Sequence, residues 1–167
     1  DSVQVSLANQ KPKATFLLKG VRCFGDANGA ISLDSLLVGE SPVLFALDGG
    51  VFSAQSNFLP VAPGPHTVTL LDANGCEWTS DTLVVPQPPP LVAELGPDVR
   101  VHLGDRVVLT ADLSLPPSAL TSMVWKPLLD TALAGTPIQR FTPLQSYWMT
   151  LQVVDTAGCR AEDKVWV

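Results

Sequence analysis

Leu70-Leu71-Asp72-Ala73-Asn74-Gly75-Cys76 and Val153-Val154-Asp155-Thr156-Ala157-Gly158-Cys159 are two versions of one phrase, placed near the ends of the two halves of a 167-residue chain. In each, strand-forming residues run into Asp-x-x-Gly-Cys. There Asp can bond its own following backbone and Gly supplies a positive φ. A last strand-like stretch follows each time, Thr82-Leu83-Val84-Val85 or Lys164-Val165-Trp166-Val167. A phrase that closes both halves implies two similar β units in tandem.

Working outward, period-two alternation recurs and helical spacing does not. Val68 and Leu70 alternate with Thr67 and Thr69; Val107, Leu109, Ala111 and Leu113 with Val108, Thr110 and Asp112; Tyr147, Met149, Leu151 and Val153 with Trp148, Thr150 and Gln152. Turn signals punctuate them at Asp26-Ala27-Asn28-Gly29, Asp48-Gly49-Gly50 and Gly104-Asp105. The expected fold is all-β, two tandem immunoglobulin-like β-sandwich domains. Between them the four prolines of Val85-Pro86-Gln87-Pro88-Pro89-Pro90 remove backbone donors and favour an extended, semi-rigid spacer. The expected division is 1–13 as an N-terminal extension or the end of a preceding module, 14–85 as the first sandwich, 86–94 as the linker and 95–167 as the second sandwich.

Composition narrows the function. Charged residues make up 16% of the chain against about 25% in ordinary soluble domains, while 46% are hydrophobic, so the chain is not a disordered segment. Ten Lys and Arg dispersed in a chain of net charge −6 make no phosphate-binding stripe, which excludes nucleic acid as an expected partner. The acidity is uneven: residues 1–94 carry −5 and residues 95–167 carry −1. No apolar run reaches the roughly 20 residues of a membrane span. The opening Asp1-Ser2-Val3-Gln4 lacks a basic start and an apolar h-region, and reads as a mature protein or an excised fragment.

Cys23 and Cys76 share the first half, each beside an Asn-Gly turn. A bridge between them would close a loop of about 54 residues and contribute roughly 4 kcal/mol. That reading places the chain in an oxidising, extracellular setting, secreted or on a cell surface; two buried thiols in a cytosolic protein are the alternative. Cys159 has no partner in its own half and is expected as a small buried residue, a free reactive thiol or a link to another molecule.

Two stretches resemble known modules. Val21-Arg22-Cys23-Phe24-Gly25-Asp26-Ala27-Asn28-Gly29-Ala30-Ile31, with Leu47-Asp48-Gly49-Gly50-Val51-Phe52, Phe58-Leu59 and Asp72-Ala73-Asn74-Gly75-Cys76, resembles a repeat of the SprB type over about residues 14–94. Leu95-Gly96-Pro97-Asp98-Val99-Arg100-Val101-His102-Leu103-Gly104-Asp105, with Leu109-Thr110-Ala111, Trp125-Lys126-Pro127 and Asp155-Thr156-Ala157-Gly158-Cys159, is similar to PKD-like, immunoglobulin-like domains over 95–167. The resemblance implies a cell-surface adhesin of gliding Bacteroidetes-type bacteria, exported by the type IX secretion system. His66 stands where that family commonly has Tyr, which implies an altered aromatic corner. Leu133-Ala134-Gly135-Thr136-Pro137 lacks the Cys often found there, which implies no second disulfide within that domain.

No catalytic motif is present: G-x-S-x-G, G-x-x-x-x-G-K-[ST], H-E-x-x-H and C-x-x-C are all missing. His66 at a strand start and His102 in a Val101-His102-Leu103 strand read as strand residues, since a general base needs a partner. Asp26 with Asn28 and Asp72 with Asn74 resemble the first two ligands of a calcium loop, but calcium wants six to eight oxygens, so they read as turns. No metal, cofactor or catalytic residue is expected. Asp98, Asp105 and Asp130 could converge at one end of the second sandwich. Trp125 and Tyr147 read as structural core, Tyr147 as a tyrosine corner. Trp148 and Trp166 have the opposite parity from the core residues beside them and are expected to face outward as contact aromatics. The expected function is a non-enzymatic extracellular structural or adhesion module. Its expected partners are other modules of the same protein or a surface polysaccharide. A carbohydrate-binding or accessory module of a secreted enzyme is one alternative. A self-assembling filament subunit that donates residues 1–13 to a neighbour is another.

Overall fold

The alternating stretches become strands in the computed structural model, which describes residues 10–127, 133 and 135–167. No α-helix occurs among them. The chain divides into two units, 1–88 and 89–167.

The first unit runs β1 (Lys13–Lys19), β2 (Gly29–Val38), β3 (Leu44–Leu47), β4 (Asn57–Val61), β5 (Gly64–His66), β6 (Val68–Leu71), β7 (Glu77–Thr79) and β8 (Leu83–Val85). Two antiparallel sheets, ordered β1-β2-β4 and β3-β6-β7, and a β5-β8 ribbon enclose one core. One sheet gives it Ala14, Ile31 and Val61, the other Phe45, Val68 and Leu70, and the ribbon Val85. Facing sheets that each contribute alternate residues make a sandwich. Each buried aliphatic side chain stabilises it by about 1.5–3 kcal/mol. Pro12 is fully buried and Lys13 pairs with Val38, so the end of the 1–13 segment belongs to this sandwich; residues 1–9 lie outside the described residues.

The second unit runs β9 (Ala93–Glu94), β10 (Val107–Thr110), β11 (Asp112–Leu113), a 3-10 turn at Pro117–Ala119, β12 (Leu120–Pro127), β13 (Ile138–Phe141), β14 (Trp148–Asp155) and β15 (Arg160–Trp166). A β12-β14-β15 sheet faces the β10-β13 and β9-β11 ribbons. Met149, Leu151 and Val153 of β14, Trp125 of β12 and Val165 of β15 are fully buried, against Val107 and Leu109 of β10. Trp125 also donates its indole N–H to the carbonyl of Thr136 at 2.9 Å, which satisfies the one polar atom the core receives with it.

The proline segment is shorter as a spacer than the sequence implies. The amide of Val21 donates to the Pro86 carbonyl at 3.0 Å, which ties the segment's start to the first unit. At its end, Val92 and Ser114 exchange hydrogen bonds and Ala93–Glu94 pairs with β11, which ties it into the second.

Candidate functional site

The polar residues singled out in the sequence turn out to hold backbone. In β6–β7 the Asp72 carboxylate accepts the amides of Asn74 and Cys76, both at 2.9 Å, while Asp72 and Cys76 pair through N–H···O=C at 3.1 Å. In β14–β15 the Asp155 carboxylate accepts the Cys159 amide at 2.8 Å, with the same backbone pair at 3.0 Å. Gly75 and Gly158 take φ of 78° and 85°. The first Asp-Ala-Asn-Gly segment is different. There Gly25, not Gly29, carries the positive φ, and Asp26 and Asn28 bond each other and the amides of Cys23 and Arg22. Gly29 is required for room: a Cβ there would lie 2.7 Å from Val85 and 2.9 Å from the Val61 carbonyl.

The cysteine expectation is overturned. Cys23 and Cys159 are the disulfide-bonded cysteines, and Cys76 is free. Cys23 could not reach Cys76, because the two stand at opposite ends of the first sandwich. Cys23 precedes the start of β2, whereas the Asp72 turn bonds Glu40, just past its end. Ten extended residues separate those ends by about 30 Å, against the 7 Å limit between bridged Cα atoms. The expected free thiol at Cys159 is corrected with it.

His66 is more than a strand residue. Its Nδ1 lies 2.7 Å from Asp48 Oδ2 and its Nε2 lies 2.9 Å from the Ala62 carbonyl. Both ring nitrogens therefore face acceptors, an arrangement that only the doubly protonated ring satisfies. The Asp48 hydrogen bond raises the His66 pKa against the opposing effect of burial, and the Ala62 carbonyl adds to it. Burial opposes ionisation of Asp48, but hydrogen bonds from His66 and the Thr67 amide and the attraction of His66 outweigh it and hold its pKa low. The imidazole thus does what a corner tyrosine does, tying a loop to the carbonyl four residues upstream. Tyr147 exchanges both backbone hydrogen bonds with Val167 and packs its ring on Phe141, 6.3 Å between centroids. Burial raises the pKa of its phenol.

His102 is not in a strand. It is fully exposed in a turn where Asp105 accepts its amide at 3.0 Å and returns a backbone bond, with Gly104 at φ 94° between them. Asp98 accepts the amide of Trp166 at 2.9 Å. Asp105 therefore closes a local turn and Asp98 holds the end of β15 from 68 residues away; Asp130 lies outside the described residues.

Among the exposed apolar side chains of the second unit are two paired tryptophans. Trp148 and Trp166 are directly paired across β14 and β15, with ring centroids 5.2 Å apart and planes at 67°, an edge-to-face pair. Both are about two-fifths exposed. The Lys164 ammonium stands 5.0 Å above the Trp148 ring centre. Along the same face Lys126 donates to Gln152 at 2.7 Å, and Gln152 donates to Glu162. At the strand end Trp166 also lines a cleft of about 550 Å³ with Asp98, Arg100, His102, Gln145 and Ser146. Parity alone gave the two tryptophans and would also have placed Lys164 and Glu162 beside them. Arg100, Gln145 and Ser146 carried no local signal, since loops from distant parts of the sequence bring them together.

These sheets and cores define a tandem of antiparallel β-sandwiches. No protein-family model matches the chain, and no curated protein matches it. Among solved structures it is similar to one described as fibronectin(III)-like modules of Clostridium thermocellum CbhA, at 13% identity over 83% of this chain and 82% of that one, with a TM-score of 0.36. A likeness of that degree carries no argument, and the sandwich assignment stands on the chain's own sheets.

Proposed function

We propose that the chain is a non-enzymatic, extracellular structural and adhesion module, part of a surface protein of the SprB-repeat and PKD-like kind that its sequence resembles, with export by the type IX system and a place in gliding or attachment. The observation that carries this reading is how the reactive side chains are used. Asp26, Asp48, His66, Asp72, Asp98, Asp105 and Asp155 all bond backbone, Asp48 and Asp98 between segments distant in sequence and the others within four residues. The paired outward tryptophans, Trp148 and Trp166, are suited to contact rather than to proton transfer. Disulfide-bonded Cys23 and Cys159 favour an oxidising compartment.

Protease shaving of intact cells that produce the full-length protein tests it. Peptides of this chain should be released without lysis, with Cys23 and Cys159 oxidised. Release only after lysis, with every cysteine reduced, would overturn the reading.

A further inference from the structure

We propose that the Trp166 cleft and the adjoining face of β14 and β15 form a carbohydrate-binding site that takes a pyranose polymer. This rests on the contact-module reading above and names the partner. A pyranose has a C–H face that packs on an aromatic ring and a rim of hydroxyls that both donate and accept. The structure presents both halves of that chemistry together. Trp166 belongs to the edge-to-face aromatic pair and to the cleft, and is the residue that joins them. Around it the cleft offers Arg100, Gln145 and Ser146, respectively a fork of donors, an amide with both roles and a hydroxyl with both. Arg100 is exposed and has no ion pair among the described residues, so its donors are open to a ligand.

The two tryptophans are not equivalent. Lys164 stands over one face of Trp148, and the edge-to-face contact with Trp166 limits its motion, so Trp148 mainly positions its neighbour. Beyond them the Lys126–Gln152–Glu162 row continues the polar rim along the sheet. A sugar's hydroxyls can join that row by replacing water, without stranding any member. A protein partner would need to cover about 800 Å² with an apolar centre. It would have to desolvate this row to do so. The cleft volume of about 550 Å³ lies within the roughly 300–1,000 Å³ of ordinary small-ligand sites, so a polymer held there would run on over the aromatic pair.

Affinity electrophoresis of the 167-residue chain through gels containing soluble β-glucan, xylan, galactomannan or alginate provides the test, with titration calorimetry on any polymer that retards it. At least one polymer should retard the chain. Binding should weaken tenfold or more in Trp166→Ala, severalfold in Arg100→Ala and in Gln145→Ala, and less in Trp148→Ala than in Trp166→Ala. Leu144→Ala, at an exposed residue that does not line the cleft, should bind normally. Trp166→Phe keeps a ring and should restore most of the binding, which separates loss of the site from loss of the fold. Passage unretarded through all four gels would overturn the proposal, as would retardation unchanged in both Trp166→Ala and Arg100→Ala. Either result would leave surface exposure in the shaving experiment untouched, so the two readings fail separately.

Discussion

The Asp72–Cys76 and Asp155–Cys159 hairpins have the same carboxylate-to-amide bond, the same backbone pair and the same left-handed glycine, yet one ends in a free thiol and the other in a bonded half-cystine. The carboxylate makes the turn, and the cysteine is carried by it. A repeated local phrase therefore specifies repeated local geometry. It does not specify which sulfur finds a partner, because that depends on which ends of the strands lie near each other.

The largest expected effect tests that difference directly. Alkylation of native protein without reductant, followed by peptide mapping, should modify Cys76 and leave Cys23 and Cys159 unmodified until they are reduced. Modified Cys159 with protected Cys76 would restore the first-half bridge and erase the contrast. Cys76→Ser should leave the Asp72 turn intact, since the turn uses the backbone amide of residue 76 and not its sulfur.

Removing the carboxylates should show what the hairpins share and how they differ. Asp72 is almost fully buried and accepts two amides, so Asp72→Ala leaves both without their acceptor and should cost about 2–4 kcal/mol. Asp155 is less buried, and Asp155→Ala should cost about 1–2 kcal/mol. In units of roughly 80 residues, each 1 kcal/mol lowers the melting midpoint by about 4–8 °C. Equal losses at the two sites would mean that burial adds nothing to the turn.

Much of this was legible in the sequence, for physical reasons that particular residues make plain. The alternation around Met149, Leu151 and Val153 reports a half-buried strand, because one face of a sheet must be apolar and the other need not be; the same parity turned Trp148 and Trp166 outward. The Asp-x-x-Gly turns were legible because their bonds close within four residues. What was not legible depends on distance along the chain. Asp48 meets His66 across 18 residues and Arg100 meets Gln145 across a cleft. His102 departs from the expected strand because Val101 and Leu103 only mimic alternation, while the Gly104-Asp105 turn claims the segment.

The two glycines flanking the first turn give a smaller contrast. Gly29→Ala forces a methyl against Val85 and the Val61 carbonyl and should cost about 1–3 kcal/mol by overpacking. Gly25 has open space around it, so Gly25→Ala meets only the strain of φ 81°, about 1 kcal/mol, read from urea midpoints. A costlier Gly25→Ala would show that backbone conformation, not close approach, governs this turn.

The smallest effect separates the two corner residues by pH. The His66 pKa is raised above its ordinary 6.5, so its contribution is complete below about pH 6.5 and is lost as pH rises through the folded value. The Asp48 pKa is lowered below 3.8, so its contribution is present above that pH and lost as pH falls through its folded value. Both contributions are therefore complete between about pH 4 and 6.5, and the first unit should lose stability from pH 6.5 towards 9. Asp48 is half exposed, which limits the loss to about 1 kcal/mol or less. Tyr147, with a phenol pKa raised above 10, contributes no slope over that range. His66→Gln keeps a hydrogen-bonding side chain without the charge. It should flatten the wild-type decline between pH 6.5 and 9 when urea midpoints are compared, and a decline that persists in this variant would assign the pH dependence to some group other than the His66–Asp48 pair.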